Sequence, residues 1–115
     1  MKKKNIVLDN YLENKPQRNP EIIWTTDDEG KVTLEIKNKG IANRIAQIII
    51  RKPKISYIHL DEMGSFIWPL IDGKRTITDI SVFVNEHFGE KAEPLFERLA
   101  KFFQILVSYK FVSFK

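Results

Sequence analysis

The sequence predicts an α+β domain in which an antiparallel sheet of three strands precedes three α-helices. Two observations support this class. β-Prone runs and turn residues fill much of the first half of the chain, whereas from residue 61 onward apolar residues recur at helical spacing. The chain has 115 residues, of which 43% are hydrophobic and 11% aromatic, so one domain can form its own core without disulfides.

The first two strands are predicted as a β-hairpin. Residues 22–26 are rich in β-branched and aromatic residues, and residues 31–37 alternate between polar and apolar. Residues 27–30 supply three acidic turn residues and a glycine. The segment before the hairpin is polar, contains two prolines and shows no sustained periodicity. We therefore assign residues 1–19 to an N-terminal arm and residues 20–115 to the domain.

An inserted segment, residues 38–54, separates the second strand from the third. Four of its isoleucines fall at i, i+4, i+7 and i+8, which predicts an amphipathic helix: Ile41, Ile45, Ile48 and Ile49. This stripe requires burial on the protein's own sheet, on a partner chain, on a second copy in a homodimer or at a membrane. The segment is short and lacks aromatic membrane anchors. We therefore expect its first half to be helical and to pack on the sheet or on a partner chain.

Residues 55–60 form the third predicted strand, at an edge of the sheet. Its neighbours in sequence are the inserted segment and a helix rather than a hairpin mate, so one side is open to an added strand. Side chains alternate along a strand. Because Leu60 leads directly into the first helix, Ile58 and Leu60 are expected to face inward and Tyr57 and His59 outward.

Local capping signals delimit the helices. Asp61 is a predicted N-cap, Pro69 shortens the first helix, and Thr76 with Asp79 has the spacing of a capping box. Gly89 is expected to end the second helix. The third helix is expected from about residue 92 through residue 106, with a proline in its first turn, and residues 111–114 are expected to form a short closing strand.

Enzyme chemistry finds no support in the sequence. The chain has no cysteine, and its two histidines, His59 and His87, lack metal-binding spacing. Phosphate-binding, dinucleotide-binding and nucleophile-elbow motifs do not occur. The sequence therefore predicts a binding protein that is not an enzyme and that carries no metal or cofactor.

Two binding modes remain open. One is peptide capture by strand addition, and the other is a nucleic-acid-binding or transcription-regulatory winged helix. A basic stretch between Glu35 and Asp61 favours the second mode, but the helix that would read bases, residues 77–88, contains no Lys or Arg and two acids. Nucleic acid is therefore the less favoured partner. The longest apolar run has three residues and no signal peptide is evident, so we expect a cytoplasmic protein that does not cross a membrane.

A family resemblance rests on residues 60–80. This stretch is similar to the pattern of PqqD-like proteins. It contains Leu60-Asp61, then a small residue, Ile67-Trp68, Asp72-Gly73-x-x-Thr76 and Asp79-Ile80. The hairpin upstream, with Trp24, and the Phe111-Val112 ending also resemble the family, so the resemblance covers about residues 20–114. Two departures stand out: the inserted segment, and Tyr109-Lys110 where the family usually has glycine.

The resemblance implies a winged-helix-like fold and a recognition element for ribosomally made, post-translationally modified peptides. In such proteins the leader of a precursor peptide pairs with the third strand and lies against the third helix. A modifying enzyme, often a radical S-adenosylmethionine protein, then acts on the peptide. The expected peptide-binding residues here are Ser56, Tyr57, Ile58, His59, Phe96, Leu99 and Phe103. The basic residues Arg44, Arg51, Lys52 and Lys54 are expected to form a rim suited to an acidic leader.

Overall fold

The computed structural model describes residues 10–37 and 55–115, and it confirms an α+β protein with a three-stranded antiparallel sheet and several helices. Two short 3₁₀ turns, Trp68–Leu70 and Gly89–Ala92, follow the first two helices. The other described elements are β1 (Pro16–Arg18), β2 (Ile23–Thr26), β3 (Val32–Lys37), β4 (Ile55–His59), α1 (Glu62–Ile67), α2 (Ile77–Phe88), α3 (Leu95–Ser108) and β5 (Val112–Phe114).

The three-stranded sheet has the order β2-β3-β4, and the predicted hairpin is confirmed as β2 and β3. Its turn is held by Asp27, whose Oδ1 accepts the backbone N–H groups of Glu29 at 2.8 Å and Lys31 at 2.9 Å. Gly30 has a φ of 81°, a value that L-residues rarely adopt. The hairpin is therefore determined by short-range hydrogen bonds within its own turn.

A second sheet of two strands, β1 and β5, was not predicted. Gln17 lies opposite Ser113, and residues 10–12 are helical, with Leu12 only 5% exposed in the core. Residues 10–19 are thus packed on the domain, and residues 1–9 of the predicted arm lie outside the described residues. A three-residue strand is too short to show an alternating pattern, and its partner lies at the far end of the chain.

The hydrophobic core lies between the three-stranded sheet and the helices. Trp68, Ile67 and Phe103 have no exposed surface, and the rings of Trp24 and Trp68 meet edge to face at 6.5 Å. The other fully buried large residues are Leu34, Ile71, Ile77, Ile80, Leu99, Val32, Val84, Val112 and Pro16. Sheet and helices therefore share one continuous core.

The predicted helix caps are confirmed. Asp61 accepts the N–H of Gly64 at 2.7 Å, and Thr76 and Asp79 exchange side-chain and backbone hydrogen bonds as a capping box. α1 ends before Pro69, as expected. The start of α3 needs a correction. Pro94 is its N-cap rather than a residue of the first turn, because the preceding Gly89–Ala92 segment forms a separate 3₁₀ turn.

α3 ends in a Schellman motif that has lysine in the glycine position. The N–H of Phe111 donates to the Leu106 carbonyl at 2.9 Å, and the N–H of Lys110 donates to the Val107 carbonyl at 3.0 Å. Lys110 has a φ of 63°, in the left-handed region that glycine adopts without cost. The departure from the family pattern at this position therefore places a strained residue where a glycine would fit.

Replacing Lys110 by glycine should stabilise the protein. Relief of the left-handed strain exceeds the entropy that glycine adds to the unfolded chain, so we expect the free energy of unfolding to rise by about 0.5–1 kcal/mol. Urea unfolding of the two proteins measures this difference. Lys110→Ala keeps the strain and should not stabilise. If it stabilises as much as the glycine variant, the lysine side chain rather than its φ is the cause.

The inserted segment, residues 38–54, lies outside the described residues, and so do the predicted isoleucine stripe and basic rim. The described residues on either side of it, Lys37 and Ile55, lie opposite each other across β3 and β4. In the described parts of the chain, no helix is both long and apolar enough to cross a membrane.

Candidate peptide-binding groove

The outer edge of β4 presents main-chain groups at alternate residues. The N–H of Leu60 donates to the Val32 carbonyl at 2.9 Å, so residues 60 and 32 form a hydrogen-bonded pair in the antiparallel ladder. Pairs of this kind recur every second residue. Ile58 therefore turns its N–H and C=O toward β3, whereas Tyr57 and His59 turn theirs away. Among the described residues no strand pairs with that outer side.

Ser65 of α1 anchors this end of β4 to β3. Its Oγ accepts the Val32 N–H at 2.8 Å and donates to the Leu60 carbonyl at 3.2 Å. In a regular antiparallel ladder the Val32 N–H would donate directly to the Leu60 carbonyl. Here the Ser65 hydroxyl bridges these two groups instead. Because Ser65 is buried, it holds the strand end without competition from water.

The side chains of β4 alternate as predicted. Tyr57 is 58% exposed and His59 is exposed, whereas Ile58 and Leu60 are half-buried and pack against the core. The Nδ1 of His59 lies 3.0 Å from the Thr33 hydroxyl, directly across the strand pair. This contact keeps the imidazole on the outer face of the sheet.

α3 presents two different apolar columns. The first is fully or nearly buried in the core and consists of Leu95, Leu99, Phe103 and Leu106. The second, which we call the α3 flank, consists of Phe102, Ile105 and Tyr109 at i, i+3 and i+7. Ile105 is 47% and Tyr109 66% exposed, so the α3 flank is an accessible apolar surface.

One end of the α3 flank, at Phe102, lies near the end of β4. A Cβ on Gly64 would lie 3.2 Å from the Phe102 ring and 3.4 Å from the Leu60 Cβ, so these three residues meet where β4 runs into α1. At the other end of the helix, Tyr109 lines a cleft with residues of β3, including Ile36, and with the segment before β2, including Ile22. We call the space between the outer edge of β4 and the α3 flank the β4–α3 groove.

The structure places three of the predicted site residues outside the α3 flank. Leu99 and Phe103 have no exposed surface, so they support the groove from the core and do not line it. Phe96 is 42% exposed, but it precedes Ile105 by about two and a half helical turns and lies on the opposite side of α3. Their contact with a peptide stays a prediction, and the exposed apolar residues on the other side of α3 are those of the α3 flank.

The residues of the α3 flank were missed because α3 carries apolar residues around much of its circumference. The column through Leu99 and Phe103 has large apolar residues on both of its flanks, Phe96 on one side and Ile105 on the other. The one available signal was the second apolar spacing, from Phe102 through Ile105 to Tyr109. A helix that packs on one side only does not need such a second column.

The Asp72-Gly73-x-x-Thr76 motif has a structural role outside the groove. Oδ1 of Asp72 accepts the N–H groups of Lys74 at 2.9 Å and Arg75 at 3.0 Å, and these bonds hold the pKa of the carboxyl below its usual range. Gly73, with a φ of 79°, donates to the Pro16 carbonyl and leaves no room for a Cβ beside Gln17. The motif thus joins the loop before α2 to β1.

Among the described residues, no three acidic, histidine or cysteine side chains are grouped as a metal site. His59 contacts Thr33, whereas His87 stacks on Phe66 at 4.4 Å. Away from the groove, burial raises the pKa of Tyr11.

Comparison with known proteins gives one match. The family model described as coenzyme PQQ synthesis protein D (PqqD) matches residues 44–112, which include β4, all three helices and the start of β5. The match begins inside the inserted segment and does not include β2 and β3. No curated protein and no solved structure matches the chain significantly.

Proposed function

The chain belongs to the PqqD family, and on this premise we propose that it captures the leader of a ribosomally made precursor peptide by adding it as a strand to β4. The leader's alternate side chains then lie on the α3 flank. The family has a peptide-binding, chaperone-like role in the biosynthesis of such peptides, and its members are non-catalytic accessory proteins. The capture mechanism is the part proposed here.

One observation supports the proposal: β4 has an open outer edge, and the exposed apolar flank of α3 has its Phe102 end near the end of that strand. Main-chain groups of Tyr57 and His59 can bond any extended peptide, which gives affinity without sequence selection. Ile105 and Tyr109 offer exposed apolar surface on α3, and contact with it would select leaders with apolar residues two apart. Strand edge and flank together fit an extended peptide with one apolar face.

The proposal includes a partner enzyme. A bound leader places the following core peptide in solution, where a modifying enzyme, which we propose to be a radical S-adenosylmethionine protein, can act on it. The winged-helix description of the fold is part of the same proposal, supported by a β-hairpin and three helices around one core.

Nucleic-acid binding is not favoured as an alternative. α2, the helix that would enter a groove of DNA, exposes Asp79 and Glu86 and contains no Lys or Arg. Acidic side chains at that position repel phosphates.

Titration with a precursor peptide tests the proposal. The probe is a synthetic leader peptide of a ribosomally made precursor, added to ¹⁵N-labelled protein and followed by amide chemical shifts. We expect shifts at Tyr57 and His59 and along the α3 flank, and none at the acidic face of α2. Saturable binding that leaves β4 and α3 unshifted would overturn strand addition at this edge.

A matched pair of variants separates the α3 flank from the rest of the helix. Ile105→Glu places a charge in the β4–α3 groove, where burying an unpaired carboxylate against an apolar leader should weaken binding by about tenfold or more. Phe96→Glu makes the same change at a similarly exposed position on the opposite side of α3. Calorimetric titration of the leader should show normal affinity for Phe96→Glu. Equal losses in both variants would contradict the assigned flank.

A further inference from the structure

A second concave surface lies away from the β4–α3 groove. It is a cleft of about 590 Å³ between the β2–β3 turn, α1 and the C-terminal end of α2. Its lining residues are Glu29, Gly30, Lys31, Glu62, Ser65, Phe66, Pro69 and His87, none of which belongs to β4 or α3. We call it the α1–α2 cleft.

One wall of the α1–α2 cleft is aromatic. The half-buried ring of Phe66 and the exposed ring of His87 stack with their centroids 4.4 Å apart and an angle of 11° between the planes. Phe88 meets both rings edge-on, at 5.4 Å from Phe66 and 4.6 Å from His87. The stack is thereby held rigid, which lowers the entropic cost of using it as a contact surface.

Two carboxylates from different elements border this wall. Glu29 lies in the hairpin turn and Glu62 in the first turn of α1, and both are exposed. Within the described residues, neither forms an ion pair, the one ion pair there being Arg75 with Asp72. The cleft has one cation, Lys31, for its two carboxylates.

Two other aromatic rings, Trp24 and Phe83, are each covered by an arginine of the protein itself. The guanidinium of Arg18 lies 5.3 Å from the Trp24 ring centroid, and that of Arg75 lies 5.4 Å from that of Phe83. Over the part of the chain that the structure describes, no such cation covers Phe66 or His87. The aromatic wall beside the two carboxylates therefore has no arginine of the described residues stacked on it.

We infer that the α1–α2 cleft receives an arginine side chain of a partner protein. Its aliphatic stem packs along Phe66 and Pro69, and its planar guanidinium reaches the carboxylates of Glu29 and Glu62. Because the cleft shares no residue with the β4–α3 groove, the partner can dock while a peptide occupies β4. The inference does not depend on the proposed function.

A pair of capped tripeptides tests this site. The probe is acetyl-Gly-Arg-Gly-amide, and its control carries citrulline, whose neutral urea group has nearly the shape of guanidinium. At low salt, the arginine peptide should shift the amides of residues 29–31, 62–66 and 87, and the shifts should diminish as salt screens the exposed charges. Equal shifts with citrulline, or shifts centred on other residues, would overturn the inference.

Two glutamates in equivalent positions supply the protein control. Glu62 and Glu97 each lie in the first turn of a helix, but only Glu62 lines the cleft. Glu62→Gln should weaken binding of the arginine peptide by about threefold, the effect of one exposed charge pair. Glu97→Gln should bind normally. Unchanged binding in Glu62→Gln, or a lysine tripeptide that binds as tightly as the arginine one, would contradict an arginine site.

Discussion

Replacing Tyr57 by proline should abolish most leader binding while the domain stays folded. Proline removes the N–H of residue 57, which points away from β3 and takes no part in the ladder. A carbonyl of the incoming strand would then have no hydrogen-bond donor opposite it, and the strand would collide with the proline ring. An unmade hydrogen bond of this kind costs about 1–3 kcal/mol, or roughly 5- to 150-fold in Kd.

Tyr57→Ala is the matched control for that experiment. Alanine keeps the backbone N–H and removes only a side chain that is 58% exposed on the outer face of the sheet. Calorimetric titration should therefore show a much smaller loss for alanine than for proline, and circular dichroism should show both variants folded. If alanine loses as much affinity as proline, the tyrosine ring rather than the strand edge binds the leader.

Phe103→Ala should cause one of the largest losses of stability of any single substitution in α3. The ring has no exposed surface and contacts Phe102 edge to face at 5.3 Å. Truncating a buried phenylalanine costs about 3–5 kcal/mol, a large part of the 5–15 kcal/mol that stabilises an ordinary domain. Thermal and urea unfolding measure the loss directly.

Phe96→Ala makes the same chemical change on the same helix at a position that is 42% exposed. Because little packing is removed, its unfolding free energy should change by less than about 1 kcal/mol. The comparison also tests whether Phe103 contacts a bound peptide. If Phe103 lined a peptide pocket instead of the core, Phe103→Ala would impair binding and leave the unfolding transition near that of Phe96→Ala.

Features that depend on neighbouring residues could be predicted from the sequence. The hairpin turn, the Asp61 cap, the Thr76–Asp79 capping box and the end of α1 before Pro69 each involve groups within a few positions of one another. Their hydrogen bonds form in the same way wherever the segment is placed. The alternation that turns Tyr57 outward is equally local, since it follows from the period of a strand and one inward neighbour.

The pairing of β1 with β5 could not be predicted in this way. Gln17 and Ser113 are neighbours only in the folded chain, and strands of three residues have too little pattern to indicate a partner. The same limit applies to Ser65. A serine in a helical stretch reads as an ordinary polar residue, and only the packing of α1 on the sheet places its hydroxyl between Val32 and Leu60.

The proposed peptide-binding site shows most clearly which features follow from the sequence and which follow only from the tertiary structure. Sequence alone determined that residues 55–60 form a strand next to a non-hairpin segment and that α3 is broadly apolar. Only the tertiary structure decided which apolar column of α3 enters the core and which stays exposed beside β4. Phe96 and Ile105 are exposed on opposite sides of the buried column, so the apolar arc of α3 is wider than its contact with the core. The shape of the surface on which the helix packs therefore sets its rotation about its axis.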